Sequence, residues 1–90
     1  MSIEWDVRKA RSNFEKHGIA FSDAVSALED EFAFTIEDDH PDERRFITLG
    51  MDALGRLLVV VFTYRGDAIR MISARRATAG ERTEYEAGNK

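Results

Sequence analysis

Two kinds of side chain in this 90-residue chain are suited to chemistry on an anion. Arg65, Arg70, Arg75 and Arg76 crowd into residues 65–76, and Arg82 follows shortly after. A guanidinium stays charged at any working pH, and its rigid fork pairs two oxygens of a phosphate. The second kind is His17, in the run Lys16-His17-Gly18. Histidine is the side chain best fitted to move protons near neutrality. A third cluster, Glu37, Asp38, Asp39, His40, Asp42 and Glu43, offers hard carboxylates of the sort that hold Mg²⁺ or Ca²⁺. It lacks the EF-hand spacing, and adjacent like charges around a proline fit a solvated loop. Cysteine is absent, which excludes thiolate nucleophiles, disulfides and cysteine metal sites. No glycine-rich phosphate loop, nucleophile elbow or HExxH is present. What is left is acid–base work on a pre-bound anion, with no metal or cofactor expected. RNA brings its own nucleophile, the 2′-OH, so an enzyme that cuts it needs only a base, an acid and cations for the charge on phosphorus.

Each residue also has a plainer reading. Arg70 falls mid-strand beside apolar neighbours, where a structural ion pair with the 37–43 acids or Asp67 competes with phosphate binding. His17 shares helical spacing with Phe14, so it can instead cap the last carbonyls of its helix.

Charge is uneven along the chain. The net charge is −4, but residues 1–43 carry twelve acids against four bases, and residues 44–90 carry nine bases against five acids. A basic half hints at an anionic partner. Ninety residues allow one domain, and no apolar run is long enough to span a membrane. The N-terminus lacks an apolar leader, so the expected compartment is the cytoplasm.

These residues must be positioned by few elements. Asp6 can cap a helix whose apolar stripe is Val7, Ala10, Phe14 and His17, and Gly18 can end it. Ser22 is placed to cap a second helix over about 23–30, with Ala24, Val25 and Leu28 inward. Strands are predicted over 32–36, 45–51, 56–65 and 68–75, with a polar loop at 37–45 and a two-residue turn at 66–67. The run Leu57 to Phe62 fits a central strand covered on both faces. The turn sets Thr63 opposite Arg70, Phe62 opposite Met71, Val61 opposite Ile72 and Leu58 opposite Arg75. Strand alternation then lets only one of Arg75 and Arg76 reach a ligand, while the other pairs with Glu81 or Glu84. Thr78 and Glu81 form a capping box for a last helix over 79–87, and residues 88–90 should fray. The fold class is α+β: two helices, a four-stranded, mostly antiparallel sheet and a short C-terminal helix.

Two stretches carry a resemblance. The first is Glu4, Trp5, Asp6, Lys9, Ala10, Asn13, Lys16, His17, Gly18, Ile19, Phe21 and Ala24. The second is R-L-L-V-V-V-F-T-Y-R-G-D from Arg56, continued by I-R-M-I-S-A-R-R-A-T from Ile69 and by Glu81, Arg82 and Tyr85. Over about residues 3–87 the chain resembles the BrnT family of toxins from type II toxin–antitoxin pairs. The resemblance implies a RelE-like fold, ribonuclease activity that arrests growth and a BrnA-type antitoxin with a ribbon-helix-helix part. Operator DNA would be met only through the antitoxin complex. By motif, Arg65, Arg70, Arg75 and His17 become the expected catalytic group, and Lys9, Lys16, Tyr64, Arg76 and Arg82 the expected RNA-binding group. Lys9, Asn13 and Lys16 share one helical face and extend the same track, or form a solvated stripe. A non-catalytic module that binds RNA or antitoxin and acts as an operon co-repressor is the alternative.

Overall fold

Asp6 and Gly18 bound the first helix, α1 (Val7–His17). The Asp6 carboxylate accepts from the N–H groups of Arg8 at 2.8 Å and Lys9 at 3.3 Å, and Gly18 takes the left-handed φ of 72° that closes the last turn. The remaining elements of the computed structural model, which describes residues 2–88, are β1 (Ser2–Glu4), α2 (Phe21–Leu28), β2 (Phe34–Asp39), β3 (Arg44–Met51), β4 (Leu57–Arg65), β5 (Ala68–Arg76) and α3 (Ala79–Ala87). The α+β class holds, but the sheet has five strands rather than four. Its order is β1-β5-β4-β3-β2, and β1 runs parallel to β5 in an otherwise antiparallel sheet. Three residues with a single apolar member, Ile3, give no strand pattern of their own; the free edge of β5 makes them a strand.

The apolar run is central as expected. β4 lies between β5 and β3, and its alternate residues feed two cores. Leu58, Val60 and Phe62 meet Ile19, Phe21, Ala24 and Ala27 under α1 and α2. Val59 and Leu57 meet Leu49 and Tyr85 under α3. α2 lies so close to β3 that a side chain at Gly50 would strike the Ala27 carbonyl.

Several local expectations change. α2 starts at Phe21 with Ala20 at the cap position, so Ser22 lies in its first turn and caps nothing. Phe21, Ala24 and Ala27 point inward, because Phe21 is the larger apolar group to bury. Phe32 is outside the second strand, which runs on to Asp39, so the loop shrinks to residues 40–43. Cross-strand charge outweighs the poor strand propensity of its acids: Glu37 pairs with Arg44 at 2.7 Å, and Asp38 and Asp39 stand opposite Arg45 and Arg44. The β4–β5 hairpin keeps Thr63 opposite Arg70 and Phe62 opposite Met71, and then slips. A bulge at Ile72 sets Val61 against Ser73, Val59 against Arg75 and Leu58 against Arg76. The stripe of α1 is not the buried one either. Val7 and Phe14 are 68% and 56% exposed, while Asn13 is the buried residue of the helix. The capping box of Thr78 and Glu81 forms as read, and the Gly88 N–H bonds to the Glu84 carbonyl. The rest of the expected fraying, at residues 89–90, lies outside the described residues.

Candidate functional site

β5 carries most of the chemistry, and two different neighbours sort its side chains. Phe62 belongs to the core under α1 and α2, so Thr63 and its partner Arg70 face the other way, onto the face that α3 covers only in part. There Arg70 stands between Glu4 of β1 and Thr63 of β4. Its Nη1 is 3.3 Å from the Glu4 carboxylate, which is neither of the acid groups expected from sequence. Asp6 is also near. The N–H groups of Arg8 and Lys9 hold its carboxyl below the usual range, and the charge of Arg70 adds to this.

Arg75 lies on the same face but is held far more firmly. It makes two parallel hydrogen bonds to Glu81, at 2.8 and 2.9 Å, and a third to the Arg76 carbonyl. Glu81 also accepts from the Thr78 N–H, and with Arg75 this pulls its carboxyl down to about 2. Of the arginine pair, Arg75 is thus the one that pairs with Glu81. Arg76 is exposed opposite Leu58.

Beyond β1 the edge of β5 has no strand neighbour among the described residues. Asn13 takes that place. Its side-chain amide accepts from the Ala74 N–H at 3.0 Å, donates to the Ala74 carbonyl at 2.9 Å and donates to the Ile19 carbonyl at 3.0 Å. One amide thus satisfies a strand edge and the turn after α1. Asn13 is structural and leaves the expected RNA track, but it creates a groove. Lys9, Ser12, Lys16 and His17 of α1 line one side and Ile72 and Ser73 of the bulge the other, around about 250 Å³. His17 is half-buried there, and among the described residues it has no hydrogen-bond partner. The carbonyl-capping reading finds no bond to support it.

Tyr64 and Arg65 are exposed at the far end of β4, and Arg82 on the outside of α3. The expected residues therefore fall into a β5-edge groove (Lys9, Lys16, His17), an open sheet face (Arg70, Arg75), a β4 end (Tyr64, Arg65) and two outlying cations (Arg76, Arg82). Sequence reading missed Glu4, Ser12 and Ser73. Glu4 and Ser73 lay inside the two motif stretches and carried no signal without the fold. A concavity of about 430 Å³ beside Trp5, Val7 and Phe14 is mainly apolar. Among the described residues no three His, Asp or Glu side chains gather as metal ligands.

A small α+β domain with a cationic groove along a sheet edge and a cationic open face is the architecture of a protein that handles an anionic polymer. The sequence profile described as "Ribonuclease toxin, BrnT, of type II toxin-antitoxin system" matches residues 5–81, and the chain belongs to this family of ribonuclease toxins. Among solved structures it is similar to the Brucella abortus ribonuclease toxin BrnT, known from a 1.1 Å crystal structure. The two share 30% identity over 87% of this chain and 97% of the other, with a TM-score of 0.70. No curated protein matches the chain.

Proposed function

We propose that this toxin is an endoribonuclease that cuts RNA by acid–base chemistry at the β5 edge, in a RelE-like arrangement. The observation that carries the reading is the groove in which His17, Lys9 and Lys16 of α1 face Ser73 of β5, on the strand that also presents Arg70. His17 takes the proton of the 2′-OH, whose oxygen attacks phosphorus. The P–O5′ bond breaks, Lys16 gives its proton to the leaving 5′-oxygen, and a 2′,3′-cyclic phosphate remains. Lys9, in the same groove, meets the charge that develops on the non-bridging oxygens, and Arg70 on the open sheet face holds a neighbouring phosphate of the strand. Its partner supports this role: Glu4 is a partly exposed carboxylate in single contact at 3.3 Å, and such pairs contribute about 0–1 kcal/mol. A phosphate with two oxygens to offer displaces it. Arg75, held twice by Glu81, serves the fold, while Arg76 and Arg82 meet the RNA backbone further out.

A BrnA-type antitoxin with a ribbon-helix-helix part silences the toxin by hiding these cations, and operator DNA is reached only through that complex in the cytoplasm. The test is cleavage of a labelled single-stranded RNA. The expected result is fragments ending in 2′,3′-cyclic phosphate and no cleavage where the 2′-OH is replaced by hydrogen. RNA that is bound but never cut by the purified toxin would make it a binding module.

A further inference from the structure

The β3–β4 ladder ends at the pair Phe46–Phe62, yet β3 begins earlier, at Arg44, and β4 runs on to Arg65. The two strands therefore part, and a cleft of about 300 Å³ opens between them, at the small end of the range for ligand pockets. Glu43, Arg44, Phe46, Thr63, Tyr64 and Arg65 line it. The Thr63 hydroxyl donates across it to the Arg44 carbonyl. Tyr64 stands edge-on to Phe46 at 5.1 Å and to Phe62 at 5.8 Å, and those two rings stack at 5.7 Å. Two phenylalanines thus brace a tyrosine that is itself 50% exposed. Next to it Arg65 has no ion pair among the described residues.

We propose that this cleft is a nucleobase subsite, in which an unpaired base stacks on Tyr64 and its phosphate lies against Arg65. The inference rests on the ribonuclease reading and extends it to the neighbouring nucleotide. An exposed, braced ring and an unpaired guanidinium bordering one cleft are what single-stranded nucleic acid requires, because every base has a π-face and every nucleotide a charge. Tyr64 packs with Phe46 and Phe62 on the sheet face opposite Thr63 and Arg70, so an RNA strand reaches the cleft by passing around the exposed end of β4. Glu43 at the rim accepts hydrogen bonds, which favours a base with an amino group.

The experiment measures binding of a fluorescent, 2′-O-methylated and therefore uncut RNA hexamer, together with six versions each lacking one base. Tyr64→Leu should weaken binding roughly tenfold and Tyr64→Phe less than twofold. Loss of one particular base should cost wild type the same tenfold and cost Tyr64→Leu nothing further. Independent, multiplying losses, or a wild type indifferent to every missing base, would overturn the subsite; the second comparison needs no variant to fold. If wild type still cleaves unmodified RNA in that case, only the subsite fails. If it neither binds the hexamer nor cuts RNA, the ribonuclease reading fails and the subsite with it.

Discussion

Arg70 and Arg75 are the same residue type on the same strand face, and their partners divide their work. Arg75 is fixed by two short bonds to a capping glutamate, whereas Arg70 leans on one exposed carboxylate at a longer distance. Arg70→Ala should fold normally, weaken binding to every RNA sequence alike and reduce the salt slope of binding by about 0.7, the effect of losing one backbone phosphate contact. The reverse experiment is sharper. Glu4→Gln releases Arg70, so RNA affinity should rise, by up to about fivefold, the equivalent of the 0–1 kcal/mol that exposed pairs contribute. A fall in affinity would place Arg70 in a structural role. His17→Gln keeps size and polarity but carries no mobile proton. In the groove it should leave the melting temperature almost unchanged and lower cleavage by 10²-fold or more. A lower melting temperature with full cleavage would return His17 to the fold.

α3 shows how a light element is fastened. It buries one residue, Tyr85, whose hydroxyl donates to Asp30 at 2.6 Å. Burial and this bond push the Tyr85 phenol up to about 12. Burial raises the Asp30 carboxyl, but bonds from Tyr85, Met51 and Phe32 outweigh it and the net shift is downward. The other fastening is Arg75–Glu81. Glu81 falls from an ordinary 4.5 to about 2 in the folded chain, so its contribution is complete above pH 4.5 and is lost as pH falls toward 2. The amount is on the order of 1 kcal/mol, because the carboxylate and its arginine are both partly exposed and water screens the pair. Urea unfolding between pH 6 and 2 should show this slope, and Arg75→Gln should flatten it. The capping box at Thr78 and Glu81 was legible in four letters, because both groups lie within one helical turn. So were the Asp6 cap, the turn at 66–67 and the central strand. β1, the bulge and the strand-like role of Asn13 were not. β1 and Asn13 depend on partners some sixty residues away, as with Asn13 and Ala74 at a separation of 61, and the bulge shifts a hairpin register that the turn residues alone set differently. No local pattern reports that. The stripe of α1 misled for a related reason: Val7 and Phe14 have core chemistry, yet the β5 edge selected the face that carries an amide.

The sheet order separates charge across the whole molecule. The acids of β2 lie at one edge, and the cations of β5 and α1 at the other. An acidic protein can therefore present one attractive edge to RNA and turn the remainder of the strand away. If Lys9, Lys16, Arg65 and Arg70 each neutralise one phosphate, log K for single-stranded RNA should fall against log salt with a slope of about −3, at roughly 0.7 per contact. Anisotropy titrations over a range of salt give that slope directly. A slope near zero would mean that the cations do not meet the backbone.

The pairing of β1 with β5 also has a direction in time. Glu4 and Arg70 are 66 positions apart, and a ribosome delivers Glu4 first. At about 5–20 residues per second, β1 waits roughly 3–13 s for its neighbour. Throughout that interval the nascent chain has neither a β5 edge for α1 to border nor an Arg70 to hold a phosphate. On the proposed chemistry, a ribosome making this toxin is spared by its own product until β5 has emerged to meet β1.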